Sequence, residues 1–315
     1  NWLMLRVHPQ AGTASHSGVP GMVDLQTREA VFTGERRRLL GLAYRMLGSR
    51  DAAEDVLQDA WLRWQVLDTH DIVSPPAWLT TLVSRLCLDE LRARKVRQRD
   101  YVGPWLPEPW EAEPPPSAGD TASVVELADD LSMAFLLVLE RLSPEERAAF
   151  LLHDVFDVPF AAIGNVVGRQ EATVRQSVAR ARKRVREERR RFHASPTEQR
   201  RLAETFLAGM AQRDEAALLG LFHERVVLTS DGGGKVLAAL RPIVGRDKVI
   251  RFFFGITRDI SPGDLRFEFR WLNDAVSLVA FDAQAQPVIA VIFEYAEGQV
   301  VHLYAIRNPD KLKKM

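Results

Sequence analysis

The sequence predicts a multidomain chain, two all-α helical domains followed by one α+β domain, and three observations predict it. Apolar residues recur at helical spacing through residues 26–99 and again through 124–193. Between them Pro104, Pro107, Pro109, Pro114, Pro115 and Pro116 crowd the stretch 100–123, which excludes regular helix and central strand there. Beyond Pro196, two helical segments give way to short strand-like runs separated by turn signals.

Composition narrows the function classes. The 42 Lys and Arg balance the 42 Asp and Glu, but the basic runs lie in the first two thirds, so cancellation says nothing against a local surface for a polyanion. The single cysteine, Cys87, falls in an apolar helical pattern and reads as a small buried hydrophobe. Neither a disulfide framework nor a cysteine zinc site is available, and no metal or other cofactor is expected. No apolar run approaches the ~20 residues a membrane helix needs, so a cytoplasmic protein with no membrane partner is expected. Asn1 to Gly21, rich in Gly, Ser and His, reads as an appended remnant or upstream read-through, with Met22 as the natural start.

In the first helical domain, 26–99, Leu39, Leu40, Ala43, Met46 and Leu47 make one apolar stripe. Asp51 is placed to cap the next helix, DAAEDVLQDAWLRWQ, whose first turn is acidic as the helix dipole favours. Val56, Ala60 and Trp64 share one side; Asp55, Gln58 and Asp59 lie on the polar side. Ser74, Pro75 and Pro76 then break the chain, and Pro76 suits a helix start. The following helix is apolar in its first half and ends in Arg92, Arg94, Lys95, Arg97 and Arg99. Arg85, Asp89, Arg92 and Lys95 fall on one polar face of it. Trp78 is either core or a stacking platform. Within the Pro-rich stretch, WLPEPW (Trp105 to Trp110) is poorly suited to water; it either covers a neighbour locally or is a docking segment held by another domain.

In the second helical domain, 124–193, Leu127, Leu131, Ala134, Phe135, Val138 and Leu142 form a stripe, and Ser143 with Glu146 offers a capping box for a helix starting at Pro144. Phe160, Ile163 and Val167 line a short helix, Gly168 supplies a turn, and Val174, Val178, Ala181 and Val185 line a second helix. The opposite face of that helix shows Thr173, Arg175, Gln176, Arg180, Arg182 and Lys183. This is the pattern of a helix-turn-helix with its recognition helix. Between Arg180 and Arg191, eight basic residues against two acids suit DNA phosphates. A helical hairpin with a solvated basic face is the plain alternative. Gln170 stands where Ser, Thr, Asp or Asn would be the usual N-cap.

SRDAAEDVLQDAWLRW, PPAWLTTLVSRLCLDELRARKVR and the helix-turn-helix together resemble a bacterial sigma factor of the extracytoplasmic-function group, from Gln26 to Phe192. The resemblance implies that 26–99 is region 2 and 124–193 region 4, with core RNA polymerase and promoter DNA as partners. By position, Asp55, Gln58 and Asp59 are then expected on the polymerase-docking face, and Arg85, Asp89, Arg92 and Lys95 at the −10 element. Melting takes bases out of the stack, and a basic groove holds the freed strand. Thr173, Arg175, Gln176 and Arg180 are expected at the −35 element, where Arg can pair with guanine and Gln with adenine. Arg182, Lys183 and Arg184 are expected on phosphates, which position without specifying sequence.

The third domain, 196–307, reads as helices followed by antiparallel strands (ERVVLTS, VLAALRPIVG, DLRFEFRWL, AVSLVAFD, PVIAVIFEYAEG, QVVHLYAIR), a curved sheet packed on helices. Asn273-Asp274 and Glu297-Gly298 are hairpin turn signals. The layout resembles the SnoaL-like, or ketosteroid-isomerase-like, cone. WLPEP, SDGGGK and NPDKL together resemble the subgroup of these sigma factors with a SnoaL-like C-terminal extension, which implies regulation in cis with no separate anti-sigma factor. On that resemblance, Trp105, Leu106 and Pro107, Asp231, Gly232, Gly233, Gly234 and Lys235, and Asn308, Pro309, Asp310, Lys311 and Leu312 of the tail 308–315 are expected to meet at an interface that fixes the two DNA-binding domains. A plain hairpin is the alternative for DGGGK. His223, His302, Asp231 and Asp282 are the titratable candidates for a cavity. None has a spacing that requires catalysis, so no catalytic residue and no enzyme are expected; an unidentified small ligand stays open. The alternative reading of the whole is a small-molecule-sensing DNA-binding regulator that does not bind core polymerase, in which the acid-faced helix would be idle.

Overall fold

The computed structural model describes residues 22–67, 72–97, 101–112, 130–188, 194–261 and 263–315. Asn1 to Gly21, half of the Pro-rich stretch, Arg99, Arg189 to Arg191 and the side chains of Lys95 and Arg97 lie outside the described residues.

The chain opens with α1 (Met22–Leu47), α2 (Arg50–Val66) and α3 (Pro75–Arg97). Gly48, at φ +62, ends α1 in the left-handed region that glycine tolerates, and its N–H closes on the Tyr44 carbonyl at 2.7 Å. That turn leaves Ser49 extended, so Ser49, not the expected Asp51, caps α2: its hydroxyl accepts from the Ala52 N–H at 3.2 Å. Asp51 sits within the first turn, where its charge faces the positive helix end.

Beyond the linker come α4 (Met133–Glu140), α5 (Pro144–Asp154), α6 (Phe160–Val167) and α7 (Glu171–Glu188). The Ser143–Glu146 capping box forms as expected. Gly168, at φ +69, makes the turn between α6 and α7, and Gln170 holds the cap position of α7, accepting from the Val174 N–H at 3.1 Å. One apolar cluster runs unbroken from Phe32 in α1 through Phe135 and Phe150 to Val185 in α7. The two helical units therefore share a core rather than standing apart on a tether.

The C-terminal unit contains α8 (Pro196–Gln212), α9 (Glu215–Leu221), β1 (Phe222–Asp231), β2 (Ile243–Val244), α10 (Arg246–Ile256), β3 (Arg266–Leu272), β4 (Ala275–Phe281), β5 (Pro287–Ala296), β6 (Gln299–Ile306) and α11 (Pro309–Leu312). Among the described residues the strands form one sheet in the order β2-β1-β6-β5-β4-β3. The sheet departs from the expected antiparallel run at one ladder: β1 and β6 are parallel. The long connection through α10 and β3–β5 supplies the crossover a parallel pair requires. Asn273 and Asp274, at φ 49 and 60, and Glu297 and Gly298, at φ 51 and 75, make the two tight hairpins that their sequences signal. VLAALRPIVG pairs only at Ile243 and Val244, so most of that expected strand is loop. DGGGK is likewise not a hairpin but the start of this loop.

Both faces of the sheet are buried. One carries Leu228, Phe293 and Leu303 and packs against Phe206 of α8 and Phe253 of α10. The other carries Val279, Ile292, Tyr304 and Ile306, and is covered by Leu106 of the linker, Met133 of α4 and Leu312 of α11. A sheet face covered by the linker and α4 from outside its own unit, together with its own tail, positions the candidate site.

Candidate interdomain and DNA-facing sites

The linker from Tyr101 to Ala112 lies along the second sheet face. Leu106 is fully buried there, and the strap ends by pairing with the edge strand β3: Glu111 bridges Leu272, and the Ala112 N–H donates to the Trp271 carbonyl at 3.2 Å. At the strap's other end lies Asp231, the last residue of β1, with no solvent exposure. Its carboxylate accepts from the Tyr101 hydroxyl (2.5 Å), the Leu106 N–H (2.8 Å), the Gly233 N–H (3.0 Å) and the Lys311 ammonium (2.7 Å). Its carbonyl accepts from the N–H groups of Arg307 (2.8 Å) and Asn308 (2.9 Å).

Lys311 also donates to the Leu106 carbonyl and lies 4.2 Å from the Trp105 ring centroid, in cation–π range. Burial holds this ammonium below the ordinary lysine range, opposed by the Asp231 carboxylate. Burial, then the bond to Asp231, raises the Tyr101 phenol. Asn308 caps α11 through the Asp310 N–H (3.1 Å) and donates to the Tyr101 hydroxyl (3.2 Å). Lys235 pairs with Asp310. Gly233, at φ +60, is the position where any Cβ would strike the Asn308 amide. The three segments Trp105–Pro107, Asp231–Lys235 and Asn308–Leu312 are thus brought together. Trp105 completes the joint by sitting over Gly48, where a Cβ would lie 2.6 Å from its ring.

Three residues of this interface were missed by sequence reasoning. Glu108, the acid inside WLPEP, reaches the start of α2 and accepts from the Ser49 hydroxyl (2.8 Å) and the Arg50 N–H (2.6 Å). Asn273, 1% exposed, accepts from the Trp110 N–H (2.9 Å) and donates to the Tyr44 hydroxyl (2.8 Å) and the Leu131 carbonyl (2.9 Å). Its sequence context signals only a turn. Lys314 pairs with Asp51 (2.6 Å) and Glu54 (2.8 Å), which raises its pKa to about 12 and lowers that of Glu54. A lysine one residue from the chain end carries no spacing signal.

On α2, Asp55, Gln58 and Asp59 are exposed on one face. On α3, Arg85, Asp89 and Arg92 are exposed but turned toward the second helical unit: Arg85 donates to the Asn165 carbonyl (2.9 Å), and Arg92 pairs with Asp89 (3.2 Å) and Glu145 (3.3 Å). Trp78 is half-buried and packs 5.5 Å from Trp64, as a core residue does. On α7, Thr173, Arg175, Gln176, Arg180, Arg182 and Lys183 are all exposed. Arg175 lies over Phe160 (4.5 Å) and bonds Glu171; Arg180 meets Glu146 (3.2 Å); Lys183 is 3.9 Å from Glu187. Arg182 makes a two-point pair with Asp154 (2.6 and 2.5 Å), tying α7 to α5.

The titratable candidates of the third domain serve other ends. Asp282 accepts from the Gln284 and Gln286 N–H groups in a turn, and His223 is exposed and accepts from the Arg225 N–H. His302 stacks on Tyr304 (4.6 Å), with Glu294 3.9 Å away. Burial, aided by the Arg141 charge, pushes its imidazole down to about 4. Stability present above pH 6.5 is therefore lost as pH falls toward 4, by on the order of 3 kcal/mol at ~1.4 kcal/mol per pH unit. His302→Gln should flatten the thermal stability profile over that window; a profile as steep as wild type would contradict the assignment.

The Sigma-70 region 2 family model matches residues 31–97, and that of Sigma-70, region 4 matches residues 132–185. The ECF RNA polymerase sigma factor SigJ of Mycobacterium tuberculosis is 38% identical over 290 residues, covering 89% of this chain and 91% of the relative. The chain belongs to the ECF RNA polymerase sigma factor family. The probable ECF RNA polymerase sigma factor SigI of the same organism is 31% identical over 277 residues, 87% of each chain. The crystal structure of Mycobacterium tuberculosis SigJ matches with a TM-score of 0.69 at 36% identity, covering 90% of this chain and 98% of that one. The sigma factor is a promoter-specificity subunit with core RNA polymerase and promoter DNA as partners, and its C-terminal unit is a SnoaL-like α+β sheet domain. The reading as a regulator that does not bind polymerase lapses with this membership. Among the described residues no helix is long and apolar enough to cross a membrane.

Proposed function

We propose that the SnoaL-like extension regulates the sigma factor in cis by locking region 2, the linker and region 4 into one closed arrangement. The Asp231 cluster supports this most directly: a single buried carboxylate holds the linker, the loop after β1 and the C-terminal tail at once. Around it, Glu108 and Lys314 fasten α2, and Asn273 fastens α1 and the linker.

In the closed arrangement the surfaces have different states. Asp55, Gln58 and Asp59 on α2 stand clear and form the polymerase-docking face. The −10 face of α3, with Arg85, Asp89 and Arg92, is partnered by region 4 and must separate from it to take DNA. The −35 face of α7, with Thr173, Arg175, Gln176 and Arg180, is open, and Lys183 beside it meets phosphate. Arg182 reaches phosphate only by giving up Asp154. The protein acts in the cytoplasm as a non-catalytic subunit and needs no separate anti-sigma factor, because its own extension occupies that role.

Run-off transcription with core polymerase tests the proposal, comparing the full chain with chains ended after Arg307 and before Pro196. Removing the tail deletes Asn308, Lys311 and Lys314 and is expected to change transcription several-fold while the cone stays folded. Equal transcription from the full chain and the chain ended after Arg307 would remove the cis-regulatory reading.

A further inference from the structure

A cavity of about 140 Å³ opens on the helix-covered side of the cone, opposite the linker. Phe252, Phe253 and Ile256 of α10 and Ile289 of β5 give it apolar walls, and Ser230 and Arg307 are its polar members. No carboxylate and no imidazole lines it among the described residues. Arg307 is half-buried, and burial alone lowers its pKa. Its guanidinium donates to the Leu237 carbonyl, and no carboxylate lies in ion-pair range among the described residues. A partly desolvated cation without a counter-ion, at the edge of an apolar cavity, is costly unless a ligand supplies the charge.

We propose that this cavity binds a small amphipathic carboxylate, its acid group paired with Arg307 and its apolar body against Phe252, Ile256 and Ile289. The size sets the class: an apolar cavity of roughly 150 Å³ accommodates a benzene-sized body, so a single ring or a short alkyl chain fits and a steroid-sized skeleton does not. Guanidinium selects a planar carboxylate by two parallel hydrogen bonds. Strand alternation connects the cavity to the interdomain cluster. Ser230 lines the cavity and Asp231, the next residue, holds the linker; Arg307 lines the cavity and Asn308, the next residue, bonds Tyr101. A ligand that draws on Arg307 acts on a residue whose own N–H is bound to the Asp231 carbonyl. Binding stands apart from the cis-regulatory reading; its effect on transcription rests on that reading.

Benzoate, benzyl alcohol and benzylammonium serve as probes of the full-length chain, titrated by calorimetry and by thermal shift. Benzoate is expected to bind saturably, at least about tenfold more tightly than benzyl alcohol, with no binding of the ammonium. Arg307→Gln should reduce benzoate to the level of the alcohol, and Ala305→Leu, which fills the wall, should abolish both. Equal binding of benzoate and alcohol, benzoate binding unchanged in Arg307→Gln, or no saturable binding overturns the site. Run-off transcription with benzoate then separates the two readings: a change in wild type and none in Arg307→Gln supports the coupling. Unchanged transcription with intact binding overturns the coupling while leaving the site in place.

Discussion

Asp231→Ala is expected to release the linker and the tail together and to destabilise the closed arrangement by on the order of 3–5 kcal/mol. The size follows from what is left behind. The Lys311 side chain is 7% exposed and would become an uncompensated buried cation. The Leu106 and Gly233 N–H groups and the Tyr101 hydroxyl would each lose their carboxylate acceptor. The apolar core of the cone under α8–α10 is on the other sheet face and stays packed. Calorimetry should therefore show the cone's own transition retained and a separate, earlier transition for the helical units. A single transition at the wild-type temperature would contradict the account. Adding Lys311→Met to Asp231→Ala should recover part of the loss, since an apolar side chain of similar length removes the orphaned charge.

Asn273→Ala should cost about 3 kcal/mol, through a different mechanism. One side-chain amide satisfies the Trp110 N–H, the Leu131 carbonyl and the buried Tyr44 hydroxyl, and alanine satisfies none of them. Asn273 also sits at φ 49, where alanine is strained and asparagine is tolerated. Asn273→Gly separates the two contributions: it removes the amide but accepts the backbone, and should lose roughly 1 kcal/mol less than alanine. Limited proteolysis of the linker reports the release directly; a linker as resistant as wild type in both variants would contradict the role given to Asn273.

Much of the fold was legible because its determinants are local. Helical spacing places α2, α3 and α7, the Ser143–Glu146 pair starts α5, and Asn273-Asp274 and Glu297-Gly298 turn the hairpins. Ser49 and Asp51 both suit a cap, and the φ of Gly48 decides between them; composition does not reveal that angle. AVSLVAF is a nearly unbroken apolar strand, which indicates burial on both faces, and its second face is covered by Leu106, Met133 and Leu312. The interface residues were legible as motifs only through a family resemblance. Their chemistry was not, because Asp231 and Lys311 are 80 positions apart and nothing in either neighbourhood names the other. Arg94 shows the same limit. It stands in the basic run that ends α3, yet it turns inward, donates to the Leu47 carbonyl at 2.6 Å and lies 5.9 Å from the Trp105 ring centroid.

The claim that one buried carboxylate holds the linker and tail, and through them the extension, against the helical regions is tested most directly by the distance between region 2 and the extension. Spin labels at Leu62→Cys on α2 and Gln284→Cys in the β4–β5 turn of the extension are both exposed, while Cys87 is buried and its thiol pushed up by burial, so it stays unlabelled. Pulsed electron resonance on the full chain should give one narrow distance in wild type and a broad, longer distribution in Asp231→Ala. The same narrow distance in both would show that region 2 and the extension keep their arrangement without Asp231, and would contradict the account.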